Sequence, residues 1–266
     1  METASKPTVF LVSDSTVQSY PRSMAPQCGW GQMLVKYMTT GAYSVYHSEH
    51  SSFPNAVTYE TDTVKIDNRA MAGRGARNYL AEGRFDDCLA AMRRDDWLLI
   101  QFGHNDAYKA KPERFCEPET FKKILWESYV VPARERGVHT VLVTPIAMRE
   151  FDEDNVCRPS FDGYRRAMLS LGEEEGVPVI DLGSLTAQFN TRSGPEKCKA
   201  LYMWVPAGVF EGWPDGDQDN AHLQFGGAYL YAGILARALA RVPGFPSDVL
   251  KNDAKTATRA DTAFFR

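Results

Sequence analysis

Five short apolar runs constrain this chain more than any other feature: residues 8–14, 64–68, 97–102, 139–144 and 178–181, each ending in or followed by Ser, Thr, Asn, Asp, Gly or Pro. Runs that are apolar throughout, without polar alternation, read as strands buried on both faces. Between them lie helical patterns at 30–38, 76–93 with a break at Gly83, 119–136 and 161–175, and a last one follows at 226–241. Strands separated by helices pair in parallel, and right-handed crossovers set the helices on both faces. The expectation is an α/β fold, a three-layer α/β/α sandwich around a five-stranded parallel sheet, with residues 1–266 forming a single domain. Two stretches fall outside the alternation. Residues 41–62 are polar and aromatic with no clear period and read as an insertion or long loop. Residues 251–266 read as a polar tail, either frayed or docked through Phe264 and Phe265 on the body or on a neighbouring subunit.

Charge and hydropathy exclude several classes of partner. Lys plus Arg number 30 against 34 Asp plus Glu, a net charge of −4, which leaves no basic footprint for nucleic acid. The apolar runs fall far short of the roughly 20 residues that a membrane span requires, so no membrane partner is expected. Residues 1–9 lack the basic and apolar regions of a secretory leader, and the expected location is cytoplasmic unless a leader was removed. Five scattered cysteines (Cys28, Cys88, Cys116, Cys157, Cys198) form no C-x-x-C pair and read as reduced thiols.

In an open parallel sheet, ligands bind beyond the carboxyl ends of the strands. The polar residues there are Asp14-Ser15-Thr16 after the first run, Asn68 to Arg74 after the second, and Gly103-His104-Asn105-Asp106 after the third; Asp219-Asn220-Ala221-His222 precedes the final helix. These supply the parts of an acyl-transfer site. A serine needs a histidine to take its proton, and the histidine needs a carboxylate to hold its tautomer. Ser15 is the nucleophile of this reading, with His222 as base and Asp219, three residues away at a helix entrance, as its orienting acid. The oxyanion donors are the Ser15 and Gly73 N–H groups and the Asn105 amide, Gly73 because a residue without Cβ lets the backbone come close.

Asp14 reads mainly as a brace for the turn and His104 as a loop residue; both are also candidate substrate contacts. Arg74 and Arg77 suit an acidic sugar or, equally, a surface ion pair. Trp30, Trp204 and above all Trp213 offer flat faces to sugar rings, whereas Trp97 and Trp126 suit the core. Taken alone, Ser15 could be a helix cap and Asp219 with His222 a surface turn. His47, His50 and His139 read as satisfied or exposed histidines.

Taken together and in this order, the four blocks resemble the SGNH hydrolases, and among them the rhamnogalacturonan acetylesterase-like carbohydrate esterases. Gly29-Trp30-Gly31-Gln32 and Gly227-Ala228 resemble that branch too, and the likeness runs from Val9 to about Leu239. The resemblance implies a flavodoxin-like three-layer fold, a Ser15, His222 and Asp219 triad, an oxyanion hole from Ser15, Gly73 and Asn105, and deacetylation of plant cell-wall carbohydrate without metal or cofactor. Ser13 stands where the family usually has glycine, Leu223-Gln224 follows the histidine, and the 41–62 stretch is longer than the family's pattern.

The resulting expectation is a serine esterase that removes O-acetyl groups from pectin or rhamnogalacturonan oligosaccharides, with xylan as a further substrate, through an acetyl-enzyme. The partner is the acetylated carbohydrate; a homodimer stays open. Three alternatives remain. Asp14, His104, Asn105, Asp106 and His222 are also metal-ligand types, as in a metal-dependent phosphoesterase, although five histidines without an H-x-H pair supply few ligands for two ions. A non-catalytic sugar-binding relative would keep the cleft without the chemistry. A short-chain lipase or thioesterase of the same fold would be marked by an apolar acyl tunnel.

Overall fold

The computed structural model describes residues 6–39 and 41–251; residues 252–266 of the expected tail, with Phe264 and Phe265, lie outside the described residues. In chain order the elements are β1 (Thr8–Val12), α1 (Trp30–Met33), β2 (Ser44–His47), β3 (Val57–Glu60), β4 (Lys65–Asn68), α2 (Ala76–Ala81), α3 (Arg84–Ala91), β5 (Trp97–Ile100), α4 (Pro118–Ile124), α5 (Val131–Glu135), β6 (His139–Val143), α6 (Asp162–Glu175), β7 (Val179–Ile180), α7 (Leu182–Ser193), α8 (Pro195–Cys198), β8 (Tyr202–Val205), β9 (Asp217–Leu223) and α9 (Phe225–Leu239). Gly83 divides α2 from α3 by taking a φ of 71°, which costs glycine little. A π-helical stretch, Leu125–Val130, joins α4 to α5 just before Pro132, whose missing N–H and bulky ring disturb the regular ladder.

The main sheet has seven strands, not five, in the order β2-β3-β4-β1-β5-β6-β7. The five expected strands are all present and pair in parallel. The two additional ones come from the 41–62 stretch, which is an antiparallel hairpin added to the edge beside β4 rather than a loop. A separate two-stranded ribbon, β8 with β9, carries the last polar block.

Alternate residues of β1 feed two cores, as the period of a strand requires. Val9 and Leu11 pack with Trp30, Leu34, Tyr231 and Leu235 under α1 and α9. Phe10 and Val12 pack with Phe85, Phe121, Tyr129 and Met168 under α3 to α6. The five cysteines are buried and free. Among the described residues, no helix is long and apolar enough to cross a membrane.

Candidate active site

β4, β1 and β5 lie side by side, so the loops leaving their carboxyl ends meet where the chain crosses from one side of β1 to the other. Ser15, Gly73 and Asn105 come from these three loops, and together with His222 they line one cleft of about 540 Å³.

Ser15 is held in a tight turn. Asp14 accepts the Thr16 N–H at 2.9 Å and the Thr16 hydroxyl at 2.8 Å, and its carbonyl accepts the Val17 and Gln18 N–H groups. Ser13, in place of the family's glycine, donates its hydroxyl to the Gln101 carbonyl and so ties the turn to β5. Asp14 has no accessible surface, so it braces the turn and is not exposed to substrate, a correction to the expected contact. Burial alone would raise its pKa, but nearby His104 and the two Thr16 donors outweigh that and hold it low.

His222 Nε2 stands 2.9 Å from Ser15 Oγ, and His222 Nδ1 stands 2.6 Å from Asp219 Oδ2. A carboxylate at Nδ1 fixes the proton there and leaves Nε2 to accept from the serine. The pair sits on β9 rather than at a helix entrance. In a flat strand, residues three apart face opposite ways. Here the pairing slips: from Trp204 opposite Gln218 to Tyr202 opposite Leu223 is two steps along β8 and five along β9. The three extra residues make a bulge, and Asp219 Oδ1 closes it by accepting the N–H groups of Ala221 and His222. Leu223 then enters the core, and Gln224 donates to the Tyr202 carbonyl at 2.6 Å.

The electrostatics of the pair follow from this contact. Burial favours neutral forms of both partners, yet the mutual hydrogen bond wins. Asp219 is lowered to about 2 and His222 is raised above 6.5.

Gly73 has a φ of 76°, and neither its N–H nor that of Ser15 has an acceptor among the described residues. Asn105 donates one amide hydrogen to the Arg74 carbonyl at 3.1 Å, which leaves the second available. Its Oδ1 is gripped by Arg114 Nη1 at 2.9 Å, and the same nitrogen donates to the Gly73 carbonyl at 3.1 Å. One guanidinium thus fastens together the two loops that carry these donors.

The remaining expected contacts are placed differently. His104 does line the cleft, its ring edge-on to Phe161 at 4.9 Å and its Nδ1 3.3 Å from Asp14 Oδ2, without a well-aimed hydrogen bond. Arg74 is spent on Glu82, at 3.0 Å and 3.1 Å, and on the Ala72 carbonyl, so the surface ion-pair reading holds for it. Trp213 donates to the Met24 carbonyl away from the cleft, Trp30 is buried in the core with its N–H on Gln101, and Trp204 lies between Arg149 and Lys199. The aromatic groups at the cleft are instead Tyr108 and Phe161, joined by Met148 and Arg114, none of them singled out from the sequence. Phe161 ends a loop immediately before α6, where it takes a left-handed φ of 57°, rare for a bulky residue. Among the described residues, no three His, Cys, Asp or Glu side chains are grouped to hold a metal ion.

The chain belongs to the GDSL-like lipase/acylhydrolase family, whose model matches residues 23–202, and it is a carboxylic ester hydrolase. That segment includes Gly73 and Asn105 and stops short of Ser15 and His222. Among its relatives, the probable rhamnogalacturonan acetylesterase YesY of Bacillus subtilis is 34% identical over 231 residues, 87% of this chain and 91% of that one. The rhamnogalacturonan acetylesterase RhgT of the same organism is 33% identical, over 87% of this chain and 88% of its own. The crystal structure of Bacillus subtilis YxiM superimposes with a TM-score of 0.70 at 26% identity, covering 91% of this chain and 58% of that one.

Proposed function

We propose that this chain is a serine esterase that removes O-acetyl groups from plant cell-wall carbohydrate, with rhamnogalacturonan or other pectin fragments as substrate. The observation that carries the reading is the unbroken line from Asp219 through His222 to Ser15 Oγ, which opens on a cleft lined by Gly73 and Asn105. The two Bacillus subtilis relatives named as rhamnogalacturonan acetylesterases support the choice of substrate.

The cycle follows from the geometry. His222 Nε2 takes the Ser15 proton as Oγ attacks the acetyl carbonyl, and the negative charge on the carbonyl oxygen meets the free N–H groups of Ser15 and Gly73 and the second amide hydrogen of Asn105. As the intermediate collapses and the bond from the acetyl carbon to the sugar oxygen breaks, the imidazolium gives its proton to that oxygen, which leaves as a hydroxyl, and the acetyl group stays on Ser15. Water, deprotonated by the same nitrogen, attacks the acetyl-enzyme, and acetate leaves as Ser15 recovers its proton. Asp219 keeps its charge throughout and stabilises the imidazolium.

The test is acetate release from acetylated rhamnogalacturonan and acetylated xylan by wild type and Ser15→Ala, with and without EDTA. Loss in the variant, on the order of 10⁴-fold or more, with indifference to chelator, is expected. Activity that survives Ser15→Ala but dies with EDTA would overturn the reading in favour of metal-dependent chemistry.

A further inference from the structure

Arg114 brings a positive charge to the cleft, and the protein answers it only with neutral groups. Its Nη1 donates to the Gly73 carbonyl and to Asn105 Oδ1. No carboxylate oxygen of a described residue lies within 4.0 Å of its guanidinium, whereas Arg69, Arg74 and Arg84 each have one at 3.0 Å or less. Arg114 Nε is closed off from solvent without an acceptor, and Nη2 has none among the described residues. The guanidinium stands over the Tyr108 ring at 5.2 Å, and that ring is half exposed at the cleft. A half-buried guanidinium whose Nη2 keeps its donors, on an aromatic face beside the oxyanion donors, offers the chemistry that recognises a carboxylate.

We infer that Arg114 binds the carboxylate of a uronic acid in the acetylated substrate, so that the enzyme selects acetylated acidic sugars over neutral ones. The inference rests on the reading of this cleft as a carbohydrate acetylesterase site. Because Arg114 touches both loops that carry the oxyanion donors, the carboxylate lies close to the scissile ester, on the same sugar ring or the next one. The arginine that meets the acidic sugar is therefore not Arg74, which Glu82 already occupies.

A matched pair of substrates separates this role from the grip on Asn105. Acetylated galacturonide oligosaccharides with free carboxylates are compared with the same material after methyl esterification, for wild type, Arg114→Gln and Arg114→Lys. Loosening the grip lowers turnover of both substrates alike, whereas loss of the charge changes only their ratio. Wild type is expected to favour the free acid by about tenfold or more in kcat/KM. Arg114→Gln removes that preference through a raised KM for the acid, Arg114→Lys restores part of it, and added salt narrows the wild-type ratio. Circular dichroism and a thermal unfolding midpoint check that each variant is folded, and cleavage of p-nitrophenyl acetate, which has no carboxylate, reads the loosened grip on Asn105 by itself. Equal rates on both substrates in wild type, or an unchanged ratio in Arg114→Gln, would overturn the carboxylate assignment alone. Release of acetate from neither substrate would overturn the acetylesterase reading with it.

Discussion

A histidine can take a proton only while it is neutral, and at His222 the hydrogen bond to Asp219 outweighs burial and holds the pKa above 6.5. Turnover should therefore rise with pH through an inflection above that value and fall away on acidification; a kcat/KM profile measures it. Asp219→Asn removes the charge that raises the pKa, so the inflection should move to lower pH while kcat drops on the order of 10³- to 10⁴-fold. A profile that keeps its inflection in that variant would contradict the role given to Asp219. Asn105→Ala should cost about 10²- to 10³-fold in kcat with little change in KM, as for one lost oxyanion donor. At this scale the sequence is most legible where chemistry sits in short blocks at strand ends, as with Ser15, Gly73 and Asn105. Arg114, Tyr108, Met148 and Phe161 reach the cleft from loops whose course is set by packing far along the chain, and no local pattern marks them.

Whole elements hold these residues in place. The β2–β3 hairpin is tied to α3 through Asp87, which accepts from Ser51, from both Ser52 donors and from the buried Arg69. Asp87→Ala should release the hairpin and leave Arg69 with Asp67 as its remaining carboxylate, lowering unfolding free energy by about 3 kcal/mol in a denaturant titration. α9 lies so close to the start of β8 that a Cβ on Gly227 would come 2.1 Å from the Leu201 carbonyl oxygen. Gly227→Val should push α9 away and carry His222 off Ser15, cutting activity well before the fold is lost; unaltered kcat would refute that coupling. The parallel strands β1, β5 and β6 were legible because burial on both faces leaves largely apolar runs. The hairpin was not, since three of the four β2 residues are exposed and contribute no apolar pattern. α7 escaped for a different reason: its buried face includes Gly183, Thr186 and Asn190, and Asn190 is satisfied inside the core by the Tyr202 and Tyr231 hydroxyls. The bulge that pairs Asp219 with His222 was hidden because three residues' spacing also suits a helix.

For the molecule as a whole, pH acts on stability through two carboxyls shifted in opposite directions, Asp106 upward by burial and Asp219 downward because its hydrogen bond to His222 outweighs burial. Asp106 is wholly buried, and although it accepts from the Ala76 and Gly103 N–H groups, burial raises its pKa to about 7. A raised carboxyl contributes stability that is complete below the ordinary carboxylate range and is lost as pH rises through about 7. Asp219, lowered to about 2, works the other way, and its contribution is lost as pH falls through that value. Asp106→Asn turns an amide toward one of two backbone donors and should destabilise by about 1–3 kcal/mol at acidic pH, where the wild-type carboxyl is protonated, and by less as pH rises. It should also remove the decline in stability between about pH 4 and 7, and a slope that persists in the variant would refute the assignment. The hydrogen bond from Ser15 to His222 spans 207 positions of the chain. A ribosome therefore makes the nucleophile long before its base, and Ser15 remains an ordinary alcohol until β9 has been added. Two fragments divided between α8 and β8 should each be silent and should regain turnover only on reassociating, so that ester cleavage becomes a direct signal that β1 and β9 have met.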